Sequence, residues 1–249
     1  MLDILRLIDS TCKDYIEIIS YPSQEVLPWQ SKFGGLPFLP EEIPYPMKPD
    51  GTPLHLLAQF NFAEIPQIEP FPKEGLLQFY IADDHSYGLF EEKGKNNNGF
   101  KILFIPGLDS KAPQHDLSFL PQPKYFPIEY SKVFALEFEK RPMPITITDF
   151  RFYEIYKDIL DNKNLSEDFE DFYRKLFDRF GGHKLGGYPY FTQDDPRHRT
   201  NGNKDFLLFQ MDSDKDFNWG DSGVANFFVA YEKLKALDFS DVLYNWDCC

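Results

Sequence analysis

The sequence predicts an α+β protein in which the short strands of a mainly antiparallel or mixed sheet outnumber a few helices. Six short segments rich in Phe, Leu, Ile, Tyr and Val lie between Pro and Gly residues, as is typical of strands. No regular helical pattern separates one segment from the next, which argues against a doubly wound parallel sheet. The 26 Phe against 4 Met indicate a core built from aromatic rings.

Three stretches have the periodicity of helices. Apolar residues recur every three or four positions over residues 5–19, which predicts a helix within the first 20 residues. Residues 149–161 are predicted as a second helix. A third follows Ser166, a suitable N-cap, and is ended by Gly181 and Gly182. Its apolar stripe comprises Phe169, Phe172, Tyr173, Leu176, Phe177 and Phe180.

The predicted strands follow from runs of β-branched and aromatic residues between turn residues. They cover residues 54–61, 75–82, 100–105, 133–138, 206–211 and 223–230.

The two parts of the sequence resemble each other. Three blocks recur in the same order: KFGGLPF at 32–38 and KLGGYPY at 184–190, LLAQFN at 56–61 and LLFQMD at 207–212, GLLQFYI at 75–81 and GVANFFV at 223–229. Their separations of 152, 151 and 148 residues are nearly constant. This pattern predicts an internal duplication, with a Gly-Gly-x-Pro loop and at least two strands in each copy.

The repeat suggests a division of the chain. We predict a first half at 1–108, a proline-rich connection with one strand at 109–148, and a second half at 149–249, all within one compact unit. In each Gly-Gly-x-Pro loop the glycines allow positive φ and the proline fixes its own φ, so a rigid turn is expected. The crevice between two such halves is a natural place for a ligand.

The charge of the chain restricts its partners. Forty acidic against 26 basic side chains give a net charge of −14, which repels nucleic acid and anionic membranes. The three cysteines have no disulfide spacing, and charged residues interrupt the apolar residues of the first 20 positions. These features predict a cytoplasmic protein without a membrane segment. The sequence leaves the oligomeric state open.

The K-[FL]-G-G-x-P-[FY] element, the L-L-x-Q-[FM]-[ND] strand and WGDSGVANFF from Trp219 resemble the YwqG family of bacterial proteins. The likeness extends from about Ser31 to Ala230. It implies a cytoplasmic bacterial protein without an assigned reaction. It also implies an association with toxin systems, in which some members are thought to be immunity or accessory proteins. It supplies no catalytic residues.

The GDSG motif at 220–223 looks like the nucleophile loop of trypsin-like serine proteases. Here Val224 stands where those enzymes have another glycine, and the chain has no Ala-Ala-His-Cys segment to supply the paired histidine. We therefore interpret the motif as a turn that leads into a strand, with Ser222 not catalytic.

Motifs for cofactors are incomplete. Residues 181–187 have two glycines at phosphate-loop spacing, but Gly187 and Tyr188 stand where Lys and Ser or Thr are needed. We therefore expect no nucleotide cofactor. The five histidines form no helical pair and have no Cys-x-x-Cys neighbour, so we also expect no metal. A metal cluster remains the less favoured alternative to a solvated loop for His183, Asp194, Asp195 and His198.

Polar residues in the repeated blocks and nearby loops are the candidate ligand contacts. A glutamine inside an apolar strand requires hydrogen bonds, either to a neighbouring loop or to a ligand. The two lysines before the glycine turns either contact a ligand or extend from the surface. Arg197 either contacts an anion or a carboxylate or lies in a solvated loop. The candidates are Gln59, Gln210, Lys32, Lys184, Asp221 and Arg197.

Two functions fit these observations. The first is a non-enzymatic binding protein, because the chain shows no recognisable catalytic set and is rich in aromatic residues suited to protein recognition. The alternative is a small-molecule-binding protein or enzyme whose site lies in the crevice between the halves. Convergence of the candidate polar residues in one pocket would favour the alternative.

Overall fold

The computed structural model describes residues 2–89, 99–162, 166–177, 181–200 and 203–249. Within these residues, ten strands form one antiparallel sheet, and the predicted mainly antiparallel fold with a few helices is confirmed. The strands are β1 (Lys13–Pro22), β2 (Lys32–Gly34), β3 (His55–Asn61), β4 (Leu76–Ile81), β5 (Phe100–Ile105), β6 (Val133–Met143), β7 (His183–Gly186), β8 (Phe206–Asp212), β9 (Val224–Val229) and β10 (Leu243–Asp247). The α-helices are α1 (Leu2–Ser10), α2 (Phe152–Leu160), α3 (Ser166–Phe177) and α4 (Tyr231–Lys235).

The sheet is arranged around a central pair of strands. Its order is β10-β9-β8-β7-β1-β6-β2-β3-β4-β5, so the same number of strands extends on either side of β1 and β6. β1 pairs with β7, and β6 pairs with β2. Each central strand therefore precedes one group of four strands in the sequence but is hydrogen-bonded to the other group. The exchange ties both groups into a continuous sheet.

The predicted first helix is wrong beyond Ser10. α1 ends there, and residues 13–22 form β1. Ile16 and Ile18 are 0% and 4% exposed and face the core as alternate residues of this strand. Their β-branched side chains suit a pleated strand, and β6 and β7 provide backbone partners on both sides. Tertiary pairing thus overrides the helical spacing.

The remaining predictions of secondary structure agree with the structure in most places. All six predicted strands form, and β6 continues to Met143. α2 and α3 confirm the other two helices, although Phe180 lies outside the described residues. Besides β1, four of the strands and α-helices given above were not predicted as such: β2, β7, β10 and α4. β2 and β7 are short and each ends in a glycine, so their sequences indicated only the turn that follows.

One face of the sheet encloses a core of phenylalanine rings from both halves. Phe209 of β8 lies 4.9 Å from Phe60 of β3 and 5.0 Å from Phe79 of β4 between ring centroids. The sheet curls so far that its two edge strands approach each other, with Phe100 of β5 lying 5.3 Å from Tyr244 of β10. The Phe60–Phe209 and Phe100–Tyr244 contacts are edge-to-face, an arrangement that favours a defined packing of the rings.

Three layers cover the other face. Over the first half, Phe38, Leu39 and Tyr45 from the segment between β2 and β3 pack against Leu56 and Tyr80. Over β8 and β9 lies a smaller cluster of Phe191, Leu207 and Phe228. The third layer is a helical cap, which we define as α1, α2 and α3 with the link from β6 to β7. Its buried cluster consists of Ile8, Met143, Ile145, Phe152, Tyr156, Phe169, Tyr173 and Tyr188.

Both Gly-Gly-x-Pro loops adopt the same backbone conformation. Gly34 and Gly35 have φ of +68° and +69°, and Gly186 and Gly187 have φ of +71° and +70°. Left-handed pairs of this kind require glycine. Among the described residues, no helix is both long enough and apolar enough to cross a membrane.

We predict that Gly187→Ala lowers the free energy of unfolding by about 3 kcal/mol, through left-handed strain and overpacking together. An added Cβ would lie 2.5 Å from Met143 Sδ and 2.8 Å from Tyr15 Cβ. Gly51→Ala is the control, since Gly51 has φ of +84° and open space around its Cβ position. It should lose only about 1 kcal/mol. Urea unfolding measures both, and equal losses would refute the steric explanation.

Candidate functional site

The amide of Gln59 fixes the first Gly-Gly-x-Pro loop to the sheet. Its Nε2 donates to the carbonyl oxygens of Pro28 and Gln30, each at 2.8 Å. Its Oε1 accepts from the backbone N–H of Phe38 at 2.9 Å and from Gln78 Nε2 at 2.8 Å. All these groups belong to the protein itself, so the amide of Gln59 is fully engaged in holding the loop.

The second loop is held in the same manner. Gln210 Nε2 donates to the carbonyl oxygen of Gly182 at 2.8 Å, and its Oε1 accepts from the backbone N–H of Tyr190 at 2.7 Å. Asn226 Nδ2 donates to the carbonyl oxygen of Tyr190 at 2.9 Å. In the first half, Gln78 Nε2 likewise donates to the carbonyl oxygen of Phe38 at 2.6 Å. Gln210 and Asn226 therefore hold Tyr190 as Gln59 and Gln78 hold Phe38.

Both candidate lysines are buried rather than extended from the surface. Lys32 pairs with Gln59 in the sheet, and Lys184 pairs with Gln210. Lys32 Nζ donates to the carbonyl oxygen of Pro28 at 2.8 Å. Burial lowers the pKa of Lys32 to about 8 and that of Lys184 to about 7. Each lysine lies inside the protein, beside the glutamine that holds its loop.

Arg197 is completely buried in a network of charges, which corrects the expectation of a solvated loop. Its Nε and Nη2 donate to the two carboxylate oxygens of Asp195 at 3.0 and 2.6 Å, and Nη2 donates to Asp149 at 2.8 Å. Burial by itself would raise the pKa of Asp149, but the hydrogen bonds from Arg151 and the charge of Arg197 lower it. The carboxylate contact expected for Arg197 is therefore made within the chain.

The remaining candidate is in a different environment. Asp221 is exposed in the turn before β9, and next to it Ser222 has the left-handed φ of +62°. The six candidate ligand contacts do not converge on one site: Lys32 lies beside Gln59, Lys184 lies beside Gln210, and Arg197 and Asp221 lie elsewhere. None of them lines the two cavities described below.

The metal cluster, the less favoured alternative for His183, Asp194, Asp195 and His198, is not found among the described residues. His183 lies in β7, with its ring edge-to-face with Phe33 and Phe217. Asp195 is engaged by Arg197 in the loop after β7. Among the described residues, no group of three or more His, Cys, Asp and Glu side chains is placed to hold a metal ion.

An apolar cavity lies beside the first Gly-Gly-x-Pro loop. We call it the first-half groove; its volume is about 270 Å³, and it is lined by residues 34–37, by Tyr45, His55 and Leu56, and by part of the segment 120–133. The apolar lining and this volume, just below the usual range of small-molecule pockets, suit one or two inserted side chains.

Exposed apolar side chains surround this groove. Leu36 is 53% exposed and Tyr130 46% exposed, and both line it. Phe119, which is 47% exposed, packs edge-to-face on Tyr45 of the lining. Large apolar side chains are therefore clustered around the groove rather than scattered singly over the surface.

His55 is the buried polar side chain of the groove. It is 7% exposed, its ring lies 5.9 Å from that of Phe126, and its ring nitrogens make no hydrogen bond to any described residue. Burial lowers the pKa of His55, although the charge of Asp83 opposes this effect. A neutral imidazole offers one donor and one acceptor. His55 can therefore provide the groove with a polar contact.

The corresponding place in the second half is filled. Tyr188 occupies the position in its loop that Leu36 occupies in the first, but it is only 4% exposed. It belongs to the buried cluster of the helical cap, and its hydroxyl donates to the carbonyl oxygen of Thr11 at 2.6 Å. One loop is therefore covered by the chain itself, while the other borders an open groove.

A second cavity lies between the halves. Its volume is about 340 Å³, and it is lined by Ser86 and Leu89 from the first half and by residues from 193–199 and 245–248 of the second. Burial raises the pKa of Asp247 in its wall, although the backbone N–H groups of Thr192 and Gln193 oppose this effect. This is the crevice in which a small molecule was expected.

The groove was missed because its lining comes from four separate parts of the chain. One signal was nevertheless present in the repeat. Within K-[FL]-G-G-x-P-[FY], the variable position holds Leu36 in one copy and Tyr188 in the other, a change in size between otherwise similar loops. His55 carried no signal of its own, because a lone histidine at the start of a strand has many structural roles.

Comparison with known proteins identifies a domain family to which no function is assigned. A family model described as a domain of unknown function, DUF1963, matches residues 31–248. This span contains both Gly-Gly-x-Pro loops and all the residues of the first-half groove, while α1 and β1 precede it. A search of curated proteins finds no match.

We predict that Arg197→Met lowers the free energy of unfolding by about 3 to 5 kcal/mol, because it leaves Asp195 buried without its charged partner. The matched control is Arg199→Met, since Arg199 is exposed two positions away. It should change stability by less than about 0.5 kcal/mol. Chemical unfolding of the two variants gives the comparison, and a loss for Arg197→Met no larger than the control would show that the network contributes little.

Lys32 is expected to make stability depend on pH above neutrality. Its folded pKa of about 8 lies below that of an unfolded lysine, so the unfolded chain binds more protons between about pH 8 and 10 and stability rises with pH. Lys32→Met should reduce this slope by up to about 1.4 kcal/mol per pH unit. The carbonyl of Pro28 keeps its hydrogen bond from Gln59 in this variant.

The measurement is urea unfolding at several values from pH 7.5 to 9.5. Lys111→Met, at an exposed position, serves as the control. An unchanged slope in Lys32→Met would contradict a neutral Lys32 in the folded protein at high pH. Lys184 is untouched in both variants, so its own contribution cancels in the comparison.

Proposed function

The chain belongs to the DUF1963 family of domains of unknown function, and on that premise we propose that it is a non-enzymatic binding protein. Its binding site is the first-half groove, which receives an apolar group of a partner. The observation that carries this proposal is the contrast between Leu36, 53% exposed beside an open groove, and Tyr188, 4% exposed beneath the helical cap.

The lining of the groove favours binding over catalysis. Its charged residues at the rim, Glu129 and Lys132, form an ion pair at 3.0 Å and so neutralise each other. The other lining side chains are mainly apolar and aromatic, with His55 as the buried polar group. Apolar anchors that enter a desolvated pocket supply most of the energy in protein recognition.

An internal duplication explains why a fold would contain one filled and one open site. The recurrence of the sequence blocks, of the paired left-handed glycines and of the hydrogen bonds of Gln59 and Gln210 supports this origin. The second copy then acquired a long link that covers its loop, while the first copy kept its site accessible.

The biological setting of the proposal rests on resemblance. The likeness to the YwqG family supports a cytoplasmic bacterial protein that acts as an immunity or accessory protein of a toxin system. A binding role of the groove agrees with such a protein, since its action would consist of association with a partner.

The alternative is a small-molecule-binding protein or enzyme with its site between the halves. It would use the second cavity, which is polar and has contributions from both halves. Because none of the six candidate residues lines that cavity, and Arg197 and Gln59 are engaged by the protein itself, we rank the groove first.

We expect the neutral dye Nile red to bind the protein saturably in the first-half groove. Leu36→Glu should weaken this binding by about 10-fold or more, because it places a charge at an apolar rim. Leu5→Glu is the matched control, since Leu5 is 40% exposed on α1 of the helical cap. Fluorescence titration of the wild-type protein and both variants measures the affinities.

Both substitutions are at exposed positions, so circular dichroism and urea unfolding should show folded proteins of similar stability. Equal dye affinity in the two variants would place the apolar site elsewhere and reject the groove as the binding site.

A further inference from the structure

We infer that the occupant of the first-half groove is an amphipathic α-helix of another protein, which inserts an aromatic pair spaced four residues apart and donates a tyrosine hydroxyl to His55. This inference rests on the proposed function and specifies the partner of the same site. It is drawn from how the helical cap covers the second Gly-Gly-x-Pro loop.

The cover of the second loop consists of helices. The link between β6 and β7 runs from 144 to 182 and carries α2 and α3, whereas the link between β1 and β2 is only 23–31. The first half therefore has no helices in its own link to place beside Leu36. A helix that covers this loop must come from elsewhere.

Two of the three helices of the cap, α2 and α3, use the same aromatic spacing. α2 buries Phe152 and Tyr156, and α3 buries Phe169 and Tyr173. The four rings contact one another at centroid distances between 4.8 and 6.5 Å and lie in one cluster with Tyr188. Residues four apart lie on the same face of a helix. One helix can thus present two rings to the groove.

The groove has the size and the surface for such rings. Its volume of about 270 Å³ is small for a cofactor and suits one or two aromatic side chains. Tyr45, Phe126 and Tyr130 in the lining offer edges and faces for ring contacts. Edge-to-face pairs already occur there, between Tyr45 and Phe119 and between His55 and Phe126.

His55 determines the polar requirement of the occupant. The side chain is 7% exposed and has no hydrogen bond to the described residues. Its ring nitrogens keep some accessible surface in the lining of the groove, so an occupant can reach them with a hydrogen bond. The second half shows how a phenol is satisfied beside a Gly-Gly-x-Pro loop, since the Tyr188 hydroxyl donates to a backbone carbonyl. A tyrosine of the incoming helix would donate to the imidazole nitrogen of His55 in the same manner.

The electrostatic field of the chain favours a helix that is not acidic. With a net charge of −14, the protein attracts basic partners and repels acidic ones. The polar face of the partner helix is therefore expected to be neutral or basic.

A stapled peptide with the sequence of residues 151–162 tests the inference. A hydrocarbon staple between positions 154 and 158, which are both exposed in α2, holds it helical and removes two acidic side chains. The peptide keeps the aromatic residues Phe152 and Tyr156. We expect saturable binding to the full-length protein, with NMR amide shifts at Leu36, Tyr130 and Lys132. A control peptide with alanine at both aromatic positions should not bind.

A double-mutant cycle tests the contact with His55. The Tyr156→Phe peptide and the His55→Phe protein should each reduce affinity by about 10-fold, and the combination should cost no more than either change alone. Independent, additive losses would overturn the tyrosine–histidine contact. Amide shifts that fall on the helical cap and leave the groove unaffected would overturn the helix inference as well.

Dye binding separates the two levels of the proposal. If Nile red binds at the groove but the stapled peptide does not, a helical occupant is excluded while the proposed binding site stands. If neither binds, the groove is not a binding site and both proposals fail. Equal affinity of the alanine control peptide would reject recognition by the aromatic pair.

Discussion

The antiparallel ladder between β1 and β6 is the constraint on which the structure depends. It runs the whole length of β1 and all but the first residue of β6, and it lies at the centre of the sheet. On their other sides, β1 is hydrogen-bonded to β7 and β6 is hydrogen-bonded to β2. The two groups of outer strands are therefore aligned through this single ladder. The phenylalanine core then follows, since Phe60 and Phe79 can meet Phe209 only when both groups curl from the same central pair.

The layers that cover the outer face of the sheet differ in polarity between the two halves, although the two Gly-Gly-x-Pro loops have the same backbone conformation. The first half is covered by apolar contacts such as Tyr45 on Tyr80. In the second half, Arg197 lies over the ring of Phe228 and joins Asp195 to Asp149, so a charged network connects the sheet to the entrance of the helical cap. Buried charges of this kind are sensitive to geometry, and here they fix where the link to α2 begins.

Much of the fold could be predicted from the sequence, but little of the site. The strands with strong β propensity and the helix α3 were predicted correctly. The predicted duplication that aligns Gln59 with Gln210 stays a prediction. Residues 13–22 were misread because apolar spacing alone cannot show that β6 and β7 lie on either side. Lys184 and Arg197 are charged residues in the interior, and their burial is set by contacts distant in sequence. The groove depends on such contacts entirely, since Leu36 meets the segment 120–133 only in the folded protein.

The exchange of the central strands also affects synthesis of the chain. Residues of β1 find their partners in β6 between 112 and 130 positions further along, and their other partners in β7 later still. At typical elongation rates, β1 leaves the ribosome on the order of 10 s before β6 is made. During that interval both strands that pair with β1 are still missing from the nascent chain. This is the period in which a chaperone holding the N-terminal segment would protect the protein from misassembly.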